Sequence, residues 1–105
     1  MEKRINIYIK EPGKELRRIE VENTLESLQE LVGGYIEQVT VASDLAIICN
    51  EEGRLLGLPY NCESLGKAFV GPILFVGVSG EDFADAPANL GTMKGLFPEM
   101  FGEEG

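Results

Sequence analysis

Histidine and tryptophan are absent from the 105 residues, and cysteine occurs only twice. Without histidine, Ser-His-Asp and Cys-His nucleophilic machinery has no general base. Proton transfer at neutral pH would fall to a strongly shifted carboxylate or lysine. Transition-metal sites lose their commonest ligand. Cys49 and Cys62 alone fall short of the four N or S ligands of a structural zinc site. No apolar run approaches the roughly 20 residues that cross a bilayer. Met1-Glu2-Lys3-Arg4 leads into an alternating pattern without a signal-type apolar block. A cytoplasmic protein with no membrane partner is expected, carrying no metal, cofactor or disulfide.

Positive charge is scarce as well. Nine basic residues stand against eighteen acidic ones, for a net charge of −9. Residues 1–18 hold six basic and three acidic residues, which gives +3; residues 19–105 hold three and fifteen, which gives −12. An anionic surface repels phosphate backbones, so direct nucleic-acid binding is disfavoured. The plain reading of this charge is solubility. Phosphate-binding and nucleophile motifs fail on inspection. Gly66-Lys67 is followed by Ala68 and preceded by Asn61 where a phosphate loop needs Ser or Thr and glycine. Val76-Gly77-Val78-Ser79-Gly80 has Glu81 where a nucleophile elbow needs glycine. Glu81, Asp82 and Asp85 lack the spacing of a calcium loop.

What is present is a folding pattern. At 11.5 kDa the chain has room for one domain and one core. Residues 3–10 alternate, with Ile5, Ile7 and Ile9 on one side and Arg4, Asn6, Tyr8 and Lys10 on the other. Glu11-Pro12-Gly13-Lys14 is a turn, and residues 15–22 alternate again. These runs predict an antiparallel hairpin with one solvated face. The period then changes: Leu25, Leu28, Leu31 and Val32 form a helical stripe. A helix is predicted at about 24–33, capped by Asn23 with Glu26 in a capping box and ended by Gly33-Gly34.

Strands are predicted over 35–41 and 45–50, the second apolar on both faces and therefore central. Asn50-Glu51-Glu52-Gly53 reads as a glycine-bulge hairpin turn, with 54–58 returning as partner strand up to Pro59. Residues 69–78 form a further run with a bulge or bend at Gly71-Pro72. Cys49 is expected to be buried and Cys62, after a turn, more exposed. The order predicts an α+β fold: a mostly antiparallel sheet, the N-terminal hairpin plus later strands, one packed helix and a weakly structured C-terminal tail. Residues 1–80 form the domain. Residues 81–105, with six acids and one lysine, form an acidic tail whose Leu90, Met93, Leu96, Phe97, Met100 and Phe101 suggest a short docked helix.

The candidate site is Asn50–Asn61. It combines Asn50, Glu51, Glu52 and Arg54 in a charged turn with Tyr60 and Asn61 beyond a rigid proline. Tyrosine there offers contact area at low entropy cost. The plain alternative is a hairpin and its loop.

Three blocks carry a resemblance. Glu26-Ser27-Leu28-Gln29-Glu30-Leu31-Val32-Gly33-Gly34-Tyr35-Ile36-Glu37 resembles the signature of a small bacterial and phage domain family of unknown function, the 3846 type. Asn50-Glu51-Glu52-Gly53-Arg54-Leu55 with Gly57-Leu58-Pro59-Tyr60-Asn61 is similar to its second block, and Gly71-Pro72-Ile73-Leu74-Phe75-Val76-Gly77 to its third. The resemblance implies phage or mobile-element origin and supplies no catalytic residues. The expected function is a non-catalytic module that binds a protein partner. The alternative is an acidic DNA mimic that occupies the groove of a host defence or DNA-binding protein.

Overall fold

The computed structural model describes residues 3–64 and 66–86. Its elements, in chain order, are β1 (Arg4–Lys10), β2 (Arg17–Glu22), α1 (Leu25–Val32), β3 (Ile36–Ala42) and β4 (Leu45–Asn50), followed by β5 (Tyr60–Ser64), β6 (Lys67–Val70), β7 (Ile73–Ser79) and β8 (Asp82–Ala84). Every strand pairing among the described residues is antiparallel. One sheet runs β2-β1-β7-β4-β3, with β8 also paired to β7; β5 and β6 form a separate two-stranded sheet. This is the predicted α+β fold.

The N-terminal hairpin follows from its alternation. Ile5 stands opposite Val21 and Ile7 opposite Ile19. β1 pairs with β7 only from Ile73 to Phe75. Past that point β8 takes up the same edge of β7, with Gly77 opposite Ala84, and Ala86 N–H donates to Asn6 O at 2.8 Å. The segment 82–86, which contains β8, is thus wedged between β7 and the start of β1.

Both faces of the sheet are covered over most of β1, β7 and β4. Ile5, Ile7, Ile9, Ala46, Ile48, Leu74 and Val76 lie under Leu28 and Val32 of α1. Tyr8, Leu45, Ile47, Cys49, Ile73 and Phe75 lie under Cys62 and Phe69 of the β5–β6 hairpin. Period-two chemistry explains why β4 is buried along its whole length: each face meets a layer. The same layering corrects the expectation of a solvated second face on β1. Tyr8 and Lys10 are buried, because the β5–β6 hairpin covers them. Cys62 is likewise buried, contrary to expectation, because it faces the sheet from that hairpin.

The helix is one residue shorter at each end than predicted. Its N-cap is Thr24, not Asn23: the Thr24 hydroxyl accepts the Ser27 N–H at 3.1 Å. The Asn23 side chain instead donates to Phe83 O at 2.9 Å, tying the helix entrance to β8. Gly33 ends the helix in the left-handed region, as its sequence position predicts. Leu25 belongs to the stripe by spacing but is 55% exposed; the stripe reaches the core through Leu28 and Val32.

The largest correction concerns 54–58, which is not a strand. Residues 51–57 fold as one helical turn, in which Leu56 N–H donates to Glu52 O at 2.9 Å. Gly57 N–H then donates to Arg54 O and Leu58 N–H to Gly53 O, with Gly57 at φ 70°. That bond pair is the glycine-terminated helix ending. β4 finds its partners in β3 and β7 instead. Gly53 is not a bulge glycine either: a Cβ there would stand 2.8 Å from Val70 Cγ2, so the position is set by close packing. At Gly71-Pro72 the chain crosses from the hairpin to the central sheet. Among the described residues no helix is long and apolar enough to cross a membrane. The predicted docked helix of the tail lies outside the described residues.

Candidate functional site

The end of β4, the 51–57 turn and β6 enclose a groove of about 310 Å³. Asn50 anchors the turn. It is the last residue of β4, where the alternating ladder stops, and its side chain is buried. Its Nδ2 donates to Val32 O at 3.0 Å, satisfying a carbonyl that the helix end leaves open. Its Oδ1 accepts the Glu52 N–H at 2.7 Å, the local bond that favours asparagine at turn starts. On the other side of the turn, Arg54 Nη2 donates to Ala68 O at 2.8 Å. The turn is therefore latched at both ends, to α1 and to β6.

Cys49, Phe69 and Val70 line the inside of the groove, and Glu51, Glu52 and Leu55 its turn side. Lys67 Nζ pairs with Glu37 Oε2 at 3.2 Å and lies 5.5 Å from the centre of the Phe69 ring. Cys49 Sγ donates to Glu37 Oε1 at 3.9 Å. Burial pushes the Cys49 thiol pKa up, and the Glu37 carboxylate adds to this, while Lys67 opposes it. A thiol so placed stays protonated at neutral pH and is a poor nucleophile or metal ligand. Among the described residues no three Cys, Asp or Glu side chains converge as a metal site requires.

The six residues singled out in the sequence divide by what their side chains do. Asn50, Glu51, Glu52 and Arg54 line the groove. Asn50 and Arg54 do so while holding the backbone, and the two glutamates stand exposed. Tyr60 opens β5 opposite Val70 and is 61% exposed. Asn61 is turned inward. The β5–β6 register shifts between Tyr60 and Cys62, and at this irregularity Asn61 Nδ2 donates to both Lys10 O and Gly71 O at 2.8 Å. Its Oδ1 accepts from Lys10 Nζ at 3.0 Å. The side chain is spent on joining β1 to the hairpin.

That role gives a sharp expectation. Asn61→Leu keeps much of the volume but removes three buried hydrogen bonds, one of them to a buried ammonium. It should destabilise the fold by about 2–3 kcal/mol, as read by urea denaturation. An unchanged midpoint would contradict the clasp. Binding lost in this variant would report on folding, not on contact.

Sequence reasoning missed Glu37, Lys67 and Phe69 as groove residues, since they lie on strands distant in the chain. It also read Leu55 and Leu56 as residues of a returning strand. They are 85% and 57% exposed. The signal that would have found them is Gly57 four residues after Gly53, the ending of a helical turn.

No curated protein and no solved structure is similar enough to match this chain. A family model does match, described as Domain of unknown function (DUF3846), over residues 5–101. That span covers almost all of the chain, including α1, the groove and β7, so the protein belongs to this family of domains of unknown function.

Proposed function

We propose that the protein is a non-catalytic, cytoplasmic interaction module of phage or mobile-element origin, and that its partner is another protein. The observation that carries this reading is where the exposed apolar side chains fall. The large hydrophobic residues exposed among the described residues are Leu25, Tyr35, Leu55, Leu56 and Tyr60. Three of the five lie within residues 55–60. A fourth, Tyr35, has its carbonyl bonded by Glu51 N–H at 2.8 Å. Apolar area gathered on one latched turn, beside a groove, is the anatomy of a protein contact rather than of a random surface. Aromatic and large aliphatic side chains at such a centre carry most of the binding energy.

The DNA-mimic reading rests on net charge. The Glu11, Glu20 and Glu37 carboxylates are held in ion pairs with Lys14 and Arg17, Arg4, and Lys67 respectively, which leaves them less free to imitate phosphates.

The test is capture of the partner from host lysate on immobilised protein, followed by affinity measurement with single variants. Tyr60→Ala and Leu55→Ala should each weaken binding about tenfold or more, with melting temperatures close to wild type because both side chains are exposed. Full affinity in both variants would remove the 50–61 surface from the account.

A further inference from the structure

The two outer strands of the central sheet are β2 and β3, and they differ in how they meet solvent. β2 carries Arg17, Arg18, Glu20 and Glu22 in six residues. β3 carries one charge, Glu37, in seven, and no proline. Natural sheets block strand addition with charge, proline or bulges. β2 is defended along its length, whereas β3 has only an irregularity at its far end, between Thr40 and Ala42.

The backbone of β3 can be oriented. Glu51 N–H donates to Tyr35 O, one step beyond the Ile36–Asn50 pair. Antiparallel ladders alternate. Glu37 and Val39 therefore turn their backbone groups toward β4, and Ile36, Gln38 and Thr40 turn theirs outward. No described strand pairs with that edge.

We infer that β3 pairs with β3 of a second copy of this chain, antiparallel about a two-fold axis through Gln38. The register follows from the outward groups. Gln38 faces Gln38, and Ile36 faces Thr40, all through outward-pointing N–H and C=O groups, within the regular stretch before the bulge. On the hairpin face Glu37 then stands opposite Val39, so no like charges meet. Shifting the axis one step, to Glu37, would set two carboxylates opposite each other and point the wrong backbone groups at the partner. A second copy fits because the same five residues supply both sides of the ladder, as an isologous contact requires. The −9 charges of two copies repel over distances that salt screens, roughly 8 Å at physiological ionic strength. Added salt therefore strengthens the pair.

The experiment is sedimentation equilibrium over a concentration series at low and high sodium chloride, with disulfide trapping beside it. The mass should rise toward twice 11.5 kDa with concentration, and at lower concentration in high salt. Gln38→Pro removes an outward donor, and Gln38→Lys places two ammonium groups on the axis. Both should remain monomeric with an unchanged thermal melt. The native cysteines are buried, so mild oxidation of Gln38→Cys should give a linked dimer, since facing Cα atoms roughly 5.5 Å apart suit a disulfide. Thr40→Cys should not, because Thr40 meets Ile36. A monomer at every concentration and salt overturns the inference. So does a dimer that both Gln38 variants leave intact, or equal linking of Gln38→Cys and Thr40→Cys. None of these outcomes bears on partner binding at residues 51–60.

Discussion

Gly77→Ala should destabilise the protein by about 3 kcal/mol or more, at the upper end of what a single added methyl group does. A Cβ on Gly77 would overlap the carbonyl oxygen of Asp85, with Asp85 C at 2.8 Å and Ala84 O at 3.1 Å. These are backbone atoms and cannot rotate away. The segment that carries them is pinned on its other side. Asn6 N–H donates to Asp85 Oδ1 at 2.7 Å, Ala86 N–H donates to Asn6 O, and Asn23 Nδ2 donates to Phe83 O. On its opposite edge Gly77 pairs with Leu45 of β4, so β7 cannot retreat. Relief requires either distortion of the central strand or release of 82–86. A fall in melting temperature of roughly 12 °C or more is expected for a domain of this size. Hydrogen exchange should quicken first at residues 82–86. A melt within a few degrees of wild type would contradict the wedge.

Leu28→Ala should cost about 2–5 kcal/mol, the range for deleting a buried leucine. Leu28 is 1% exposed and packs with Ile5, Ile7, Ile48 and Leu74. An eight-residue helix is too short to persist alone, so α1 depends on what Leu28 and Val32 bury. Leu25→Ala is the matched control: the same residue type, on the same stripe, three positions earlier and 55% exposed. It should change stability by less than about 0.5 kcal/mol. Similar effects from the two substitutions, in parallel urea titrations, would mean that α1 does not dock as described.

The parts of the fold legible in the sequence are those set by neighbours in the chain. Ile5, Ile7 and Ile9 against Ile19 and Val21 declare a hairpin, and the Leu28–Val32 stripe followed by Gly33 declares a helix and its end. The continuous apolar run of 45–50 declares a central strand. What stayed hidden depends on distant residues. Nothing near Lys10 in sequence announces that Asn61 will meet it, and without that clasp and the β5–β6 layer, Tyr8 reads as a solvated position. Thr24 outcompeted Asn23 as cap because the Asn23 side chain found Phe83 across the fold. The 54–58 error has a local cause. Leu55, Leu56 and Leu58 suit a strand by composition, and the helical turn is specified only by Gly57 and by Asn50 bonding two residues ahead. Within the candidate segment, Asn50 and Arg54 hold the turn and Asn61 joins the hairpin to β1, roles that depend on partners distant in the chain.

The measurement that bears most directly on an apolar protein contact at this turn is a salt series on the isolated complex with the captured partner, run with and without competing duplex DNA. Burial of Leu55, Leu56 and Tyr60 is little screened, whereas an electrostatic mimic loses affinity steeply as ions are added. The account predicts an affinity that stays within a few-fold from low to high salt, is reduced by Tyr60→Ala, and is unmoved by DNA. Affinity that collapses with salt, survives Tyr60→Ala and is displaced by duplex DNA would contradict it and identify the protein as a mimic.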